Sequence, residues 1–218
     1  METITVPVLL KRVWQVGSVP EDLDGVQVLE DIRNRESFLR RWLHPVLIRR
    51  LDRGFARCNT VHPDTGRALY TICRATAAKC VYETGTYWGY ATSYLAAGII
   101  GDGKVHSFDI YPHAGRHIPR TLRQRVELHR GKPSIEAMPP ILEKATPDIF
   151  FQDSRHDYIG VVDELRIVAP YLKSRAVVLF HDFVLPDVRR AATEVLQGYQ
   201  FYIVETQDPQ QLGLAIKE

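Results

Sequence analysis

"KCVYETGTYWGYATSYLAAGIIGDGKVHSFDI", residues 79–110, decides the fold. The stretch opens on a β-branched and aromatic run, "KCVYETG", that reads as a strand. Two glycines four positions apart, Gly85 and Gly89, lead into the helical "WGYATSYLAAGII", and further glycines precede a second strand, "KVHSFDI". Two strands joined by a helical crossover of this length lie parallel, because a neighbour reached through a tight turn would be antiparallel.

The same alternation continues along the chain. "RTLRQR" reads as a short helix, "VELHRG" as a strand, "SIEAMPPILEKA" as a Pro-interrupted helix and "PDIFFQD" as a strand. "DYIGVVDELRIVAPYL" follows as a long amphipathic helix, "AVVLFHDF" as a buried strand and "DVRRAATEVLQ" as a helix with Gly198 placed as its stop. Two more strands, "YQFYIVET" and "LGLAIK", are joined by "QDPQQ". That link is too short for a crossover, so the last pair is an antiparallel hairpin. The reading is a Rossmann-like, doubly wound α/β sheet over residues 67–218.

Residues 1–66 differ and are expected to form a helical N-terminal extension or cap. "ESFLRRWL" and "VLIRRLDRGFA" read as helices interrupted by Pro45, followed by a turn-like "HPDTG". Eight arginines fall between Arg33 and Arg57. Interleaved with Leu, Ile and Trp42, they read as the solvated face of amphipathic helices, without a nucleic-acid motif beside them.

The whole chain sets further limits. At 218 residues it is long enough for one α/β domain and a modest extension. A formal net charge of +2 names no polyanionic partner. No apolar run approaches the roughly 20 residues that span a bilayer, and the first residues lack a basic leader, so the expected location is cytoplasmic. Cys58, Cys73 and Cys80 lack metal-ligand spacing and read as reduced thiols in or near the core.

Ligands of open parallel sheets bind beyond the carboxyl ends of the strands. Those ends are polar here: Glu83, Gly85 and Gly89 after the first strand, Asp109 after the second, Gly131 to Ser134 after the third, Asp153 after the fourth, His181 and Asp182 after the fifth. The glycines allow a tight strand-to-helix turn and the approach of a ligand that a Cβ would block. Asp109, twenty positions after Gly89, is suited to the two hydroxyls of a ribose. The E-x-G-x-x-x-G spacing is not the G-x-G-x-x-G of a pyrophosphate cradle. A nucleoside site follows, with a plain tight turn as the bland alternative.

These residues carry a family resemblance. "YETGTYWGYAT", "FDI", "IFFQDSRHDYIGVVDELRIVAPYLKSRAVVLFHD" and the closing hairpin resemble class I S-adenosylmethionine-dependent methyltransferases. The nearest branch is similar to the small-molecule O-methyltransferases of catechol, caffeoyl-CoA and macrolide-sugar type. The resemblance covers residues 67–218 and implies a seven-stranded sheet of order 3-2-1-4-5-7-6 with the last inserted strand antiparallel. It implies that Glu83, Gly85 and Gly89 line the methionine and sulfonium end of the cofactor, with Thr86 and Asp153 also among its contacts. Asp109 would take the ribose, and Ser134 would lie near the adenine.

The resemblance further implies a divalent cation, magnesium or another, held by Asp153, His181 and Asp182. His181 departs from the catechol type, where this position is more often acidic, and a nitrogen ligand favours a softer ion. His156, three residues after Asp153, is expected as the base that takes a proton from a sugar or phenol hydroxyl, with capping of the next helix as its structural alternative. Asp157 is expected at that helix's N-terminus and Tyr158 beneath the loop. His113 and His117 fall in a loop that could act as a lid, His106 within a strand, and Trp88 at the start of a helix beside the cofactor loop. The expected partner is a small-molecule acceptor, without nucleic acid or membrane, and a homo-oligomer through the extension is open. Two other readings stay open: an NAD(P)-linked oxidoreductase, disfavoured by the glycine spacing and the hairpin, and a nucleoside-binding module without chemistry.

Overall fold

A computed structural model describes residues 1–6, 8, 9, 46–53 and 60–217. The expected helix at "ESFLRRWL", much of the arginine-rich stretch and Cys58 lie outside the described residues. Within them, eight strands form one sheet: β1 (Glu2–Ile4), β2 (Cys80–Thr84), β3 (Lys104–Asp109), β4 (Val126–Arg130), β5 (Ile149–Gln152), β6 (Val177–Phe180), β7 (Gln200–Val204) and β8 (Leu212–Ile216). Their spatial order is β1-β7-β8-β6-β5-β2-β3-β4, and β8 alone runs against its neighbours β6 and β7. Counted from β2, this is the expected 3-2-1-4-5-7-6 arrangement.

The eighth strand corrects the expectation of seven strands and of a purely helical extension. β1 pairs parallel with β7, Glu2 to Tyr202 and Ile4 to Val204. Three residues offer too short a run for alternation to register, and only the partner reveals the strand.

The helices are α1 (Pro63–Ala75), α2 (Tyr90–Gly98), α3 (Ser134–Ala137), α4 (Pro139–Leu142), α5 (Tyr158–Val168) and α6 (Pro186–Val195). Residues 46–53 are helical as well. "HPDTG" is not a turn but the start of α1. His62 caps it, with Nδ1 accepting from the Asp64 N–H at 3.2 Å, and Pro63 occupies the first turn, where a missing N–H costs nothing. "RTLRQR" contains only a 3-10 turn at Arg123–Arg125, and Trp88 precedes α2 rather than opening it.

Both faces of the sheet are buried, so the strands alternate between two cores. On β6, Val177 and Leu179 join Leu69, Ile72 and Leu95 of α1 and α2 on one face; Val178 and Phe180 join Val161, Leu165 and Val188 of α5 and α6 on the other. Full burial on two faces explains why these strands read as apolar runs. The helical stretch 46–53 is tied to this core through Asp52, which accepts from the Tyr94 hydroxyl at 2.6 Å and pairs with Arg67 at 2.9 Å.

β8 is flanked by strands on both sides, β6 and β7, and Leu214 on it is wholly buried. Leu214→Ala is expected to cost about 2–5 kcal/mol in denaturant-induced unfolding. Ile159→Ala, at a residue 64% exposed on α5, is expected to change stability by no more than about 0.5 kcal/mol.

Candidate active site

The sheet order reverses between β2 and β5, since β2 continues to β3 on one side while β5 leads away on the other. Such a switch point opens a crevice at the carboxyl ends of the strands. A cleft of about 680 Å³ lies there, and Gly85, Thr86, Asp109, Ser134, Asp153, His181 and Asp182 all line it. Its volume is in the range of small-molecule sites. The expected residues are thus largely brought together, although 97 positions separate Gly85 from Asp182 in sequence.

Gly85 and Gly89 make the tight turns expected of them, each at positive φ, and a Cβ at either would clash with the protein itself. Gly85 has φ +91°, and a Cβ there would stand 1.9 Å from the carbonyl oxygen of Asp153; at Gly89, with φ +89°, it would meet Ile118 Cγ1 at 2.4 Å. Protein, not ligand, fills the space a side chain would need. The left-handed turns also let loops from β2 and β5 press together, which only Gly accommodates without strain.

Glu83 stands behind the cleft wall. It is fully buried, facing α2, and one carboxylate oxygen accepts from Thr92 Oγ1 at 2.6 Å and from Ser107 Oγ at 2.5 Å. Burial, aided by the charges of Asp153 and Asp109, pushes its pKa up to about 8 against those two donors. Its Oε1 is buried without a hydrogen-bond partner. Ser107 also contacts Thr86 Oγ1 at 2.5 Å, so Glu83 reaches the cleft lining through hydroxyl groups.

Asp109 ends β3 with both oxygens oriented by backbone: the Tyr87 N–H donates to one at 2.7 Å and the Tyr111 N–H to the other at 2.8 Å. Tyr87 takes the left-handed conformation, φ 44°, to make that contact. Around it Tyr87, Ile110, Tyr111 and Ile135 expose apolar surface into the cleft, as a flat heteroaromatic ring would require. Trp88 lines the cleft as well, and its ring carries the Arg116 guanidinium at 3.5 Å from its centre and the stacked His117 ring at 5.2 Å. The 111–117 loop is therefore held against Trp88. Ser134 lines the cleft at the start of α3 and donates to Glu164.

At the other end, Asp153, His156, His181 and Asp182 bring one ligand atom each within 4.8 Å of all the others. His181 Nδ1 lies 3.1 Å from Asp153 and 3.0 Å from Asp182; His156 Nε2 lies 3.0 Å from Asp182 and 3.8 Å from Asp153. Asp182 sits at φ 52°, a left-handed position Asp tolerates better than most residues. Pairing with Asp153, then with Asp182, raises His156 to about 9. Burial opposes the charge on His181, yet Asp153, followed by Asp182 and Asp208, pushes it up to about 12. Burial likewise opposes ionisation of Asp182, but His156 and His181 hold it well below the usual carboxylate range.

Two contributors escaped the sequence reading. Asp208, 3.4 Å from His181 Nε2, accepts from Thr65 Oγ1 at 2.7 Å; burial is outweighed by His181 and Thr65, and its pKa falls to about 2. It sits in "QDPQQ", which reads only as a hairpin link. Glu164, on α5, accepts from Thr84 Oγ1 at 3.0 Å, Ser154 Oγ at 2.7 Å and Gln152 Nε2 at 3.3 Å, tying together β2, β5 and the loop after β5. A buried acid amid "VVDEL" was the available signal. Asp157 caps α5 as expected, accepting from the Gly160 N–H at 3.0 Å, whereas Tyr158 turns to α6 and packs on Arg190 at 4.0 Å instead of lying under the loop.

The donor set fits a divalent cation. Two carboxylates and two imidazoles converge, and Nε2 of both His156 and His181 is buried without an aligned hydrogen-bond partner. Nitrogen in the set favours a first-row transition ion over magnesium.

Residues 82–183 match the methyltransferase domain family. No curated protein matches the chain in sequence. Among solved structures, the O-methyltransferase TomG of Streptomyces achromogenes, involved in tomaymycin synthesis and crystallised with S-adenosylmethionine, is 17% identical with a TM-score of 0.63, covering 78% of this chain and 89% of its own. An O-methyltransferase of Bacillus cereus in complex with S-adenosylhomocysteine is 16% identical with a TM-score of 0.62, over 96% and 97% of the two chains. A methyltransferase of Geobacter sulfurreducens is 18% identical with a TM-score of 0.60, over 98% and 99%. At these identities the likeness is one of fold.

The site's charges set a pH dependence of stability without metal. The folded pKa values of His156 and His181 are raised, so their stabilisation is complete below about 6.5 and is lost as pH rises toward about 9 and about 12. Glu83, raised to about 8, acts in the same direction above its ordinary range near 4.5. Asp208, lowered to about 2, contributes above its ordinary range and loses its effect only as pH falls toward 2. Chelator-treated protein is expected to unfold at lower denaturant at pH 9 than at pH 6. His156→Asn is expected to shrink that difference by about 1–2 kcal/mol, after allowance for solvent screening of a side chain one-third exposed.

Proposed function

Taking the chain as a class I S-adenosylmethionine-dependent methyltransferase, we propose that it methylates a hydroxyl oxygen of a small metabolite of sugar or phenol type, with a divalent cation assisting. The observation that carries this reading is the shared lining of one cleft: Asp109 and its apolar surroundings at one end, Asp153, His181 and Asp182 at the other.

S-adenosylmethionine, when bound, supplies a methyl group on a positively charged sulfur. Asp109, already oriented by the Tyr87 and Tyr111 amides, would accept the hydroxyl hydrogens of the ribose. Ile110, Tyr111 and Ile135 would shield the adenine from water. Thr86, backed by the buried Glu83 through Ser107, would offer oxygen atoms toward the cofactor's amino-acid end, and the partnerless Oε1 of Glu83 supports that assignment.

Asp153, His181 and Asp182 would hold the cation, which when bound lowers the pKa of a ligated hydroxyl and fixes its direction. His156 is the base in this reading. A base accepts a proton only when neutral, and pairing with Asp153 and Asp182 keeps His156 charged up to about pH 9. His156 therefore serves only once its Nε2 is released from those carboxylates. Thr60, Val61, His62, Pro209 and Gln210 wall the cleft and in this reading would meet the acceptor. The helical extension over residues 1–66 would in this reading act as a cap, in a cytoplasmic enzyme.

Calorimetry with S-adenosylhomocysteine and with NADH tests the cofactor. Saturable binding of the first is expected, weakened about tenfold or more in Asp109→Ala by loss of charged hydrogen bonds worth roughly 1.5–3 kcal/mol. Binding of NADH alone would overturn the reading.

A panel of phenols and sugars, assayed by S-adenosylhomocysteine release, tests the cation and the base. Chelator is expected to abolish turnover, and Mg²⁺, Mn²⁺ or Co²⁺ to restore it. His156→Ala is expected to lower kcat by about 10²–10⁴ with cofactor affinity unchanged. Full turnover in excess chelator, or an equal loss of affinity and kcat, speaks against these two roles respectively.

A further inference from the structure

A second constellation of nitrogen and oxygen donors lies away from the cleft's carboxylates, at the β4 edge of the sheet. His106 on β3 faces Glu127 on β4 in register, and His129 follows two residues along on the same face of β4. His106 Nδ1 lies 3.3 Å from Glu127 Oε2 and 3.4 Å from His129 Nε2, and the three donor atoms all fall within 4.8 Å of one another.

Those separations have a specific meaning. Imidazole and carboxylate ligands stand about 2.0–2.1 Å from zinc, and the edge of a tetrahedron with that radius is about 3.3–3.4 Å. A direct imidazole–imidazole hydrogen bond is ordinarily shorter, near the roughly 2.9–3.0 Å of other N–H donors. The rings are also fixed in place. His129 stacks on Phe108 at 4.6 Å and 18°, and His106 packs against Tyr82 at 5.0 Å. Ligand rings held by packing lose little freedom when a metal arrives.

We propose that His106, Glu127 and His129 form a binding site for a tetrahedral divalent transition ion, of which Zn²⁺ is the representative, that pins the edge strand β4 to β3. Two nitrogens and one carboxylate oxygen are donors suited to zinc and not to magnesium or calcium. Burial lowers the pKa of both imidazoles, which favours the neutral, ligating form. The Glu127 side chain is 48% exposed, which gives the ion a path in and leaves the fourth position to water. The site adjoins the cleft through Phe108, which stacks on His129 and lines the cleft.

Zinc titration of metal-stripped protein in excess Mg²⁺, followed by calorimetry, tests the site. The wild type is expected to take up two equivalents, one at the cleft's Asp153, His181 and Asp182 and one at this site, and Asp153→Asn to keep the one at this site. Glu127→Gln is expected to weaken it about tenfold or more, and His129→Ala to remove it. An isotherm unchanged in both Glu127→Gln and His129→Ala overturns the proposal, as does loss of the same equivalent in Asp153→Asn alone. Should His129→Ala fail to fold, Glu127→Gln, altered at a side chain half in solvent, carries the test by itself.

Discussion

The close approach of two loops at the switch point is the constraint on which the rest of the molecule depends. Gly85, leaving β2, and Asp153, leaving β5, touch backbone to backbone, with no room for a side chain between them. Because these strands are neighbours at the centre of the sheet, the contact fixes how the two halves of the fold meet. It also aims the Asp153 carboxylate into the cleft while the Asp153 carbonyl faces Gly85. Glu164 reinforces the junction from the opposite face by accepting from Thr84 and Gln152, cross-strand partners at the ends of the same two strands. Position and chemistry are here one problem: a contact too close for any side chain is also what sets the geometry of the acidic end of the site.

That end is an exercise in charge balance. Asp153, Asp182 and Asp208 converge on His156 and His181, and without a cation the imidazoles supply the positive charge that keeps the carboxylates together. Two states of the site are then in competition, one held by protons and one held by metal, over the same oxygen atoms. His181 between Asp153 and Asp182 gives the metal-free state its own internal counter-charge. The acidic end can thus stay assembled before any ligand arrives.

How much of this was legible varies by residue, for physical reasons. The order of the central strands followed from alternation of period and from one short link, because crossover length dictates strand direction. Asp109, Asp153, His181 and Asp182 were legible because strand ends are where such sheets bind ligands. β1 was not, since three residues carry no period, and α1 was misread at "HPDTG" because Pro and Gly signal a turn when their helix-capping context is missed. Gly85 and Gly89 were legible as turn residues, but only packing shows that a carbonyl and an isoleucine occupy the space a side chain would need. Asp208 was invisible in a polar link, since its meaning comes from Thr65 and His181, 143 and 27 positions away.

The pairing of β1 with β7 carries a consequence in time. Residues 2–4 leave a ribosome two hundred positions ahead of their partners at 202–204. A contact spanning two hundred positions closes a very long loop, so its entropic cost is met only after the intervening sheet has gathered the ends. β1 is therefore a late addition, docking on a sheet whose other seven strands can already be in place. During synthesis β7 would spend that interval as an open edge, and the short strand that finally covers it is itself too brief to template further pairing.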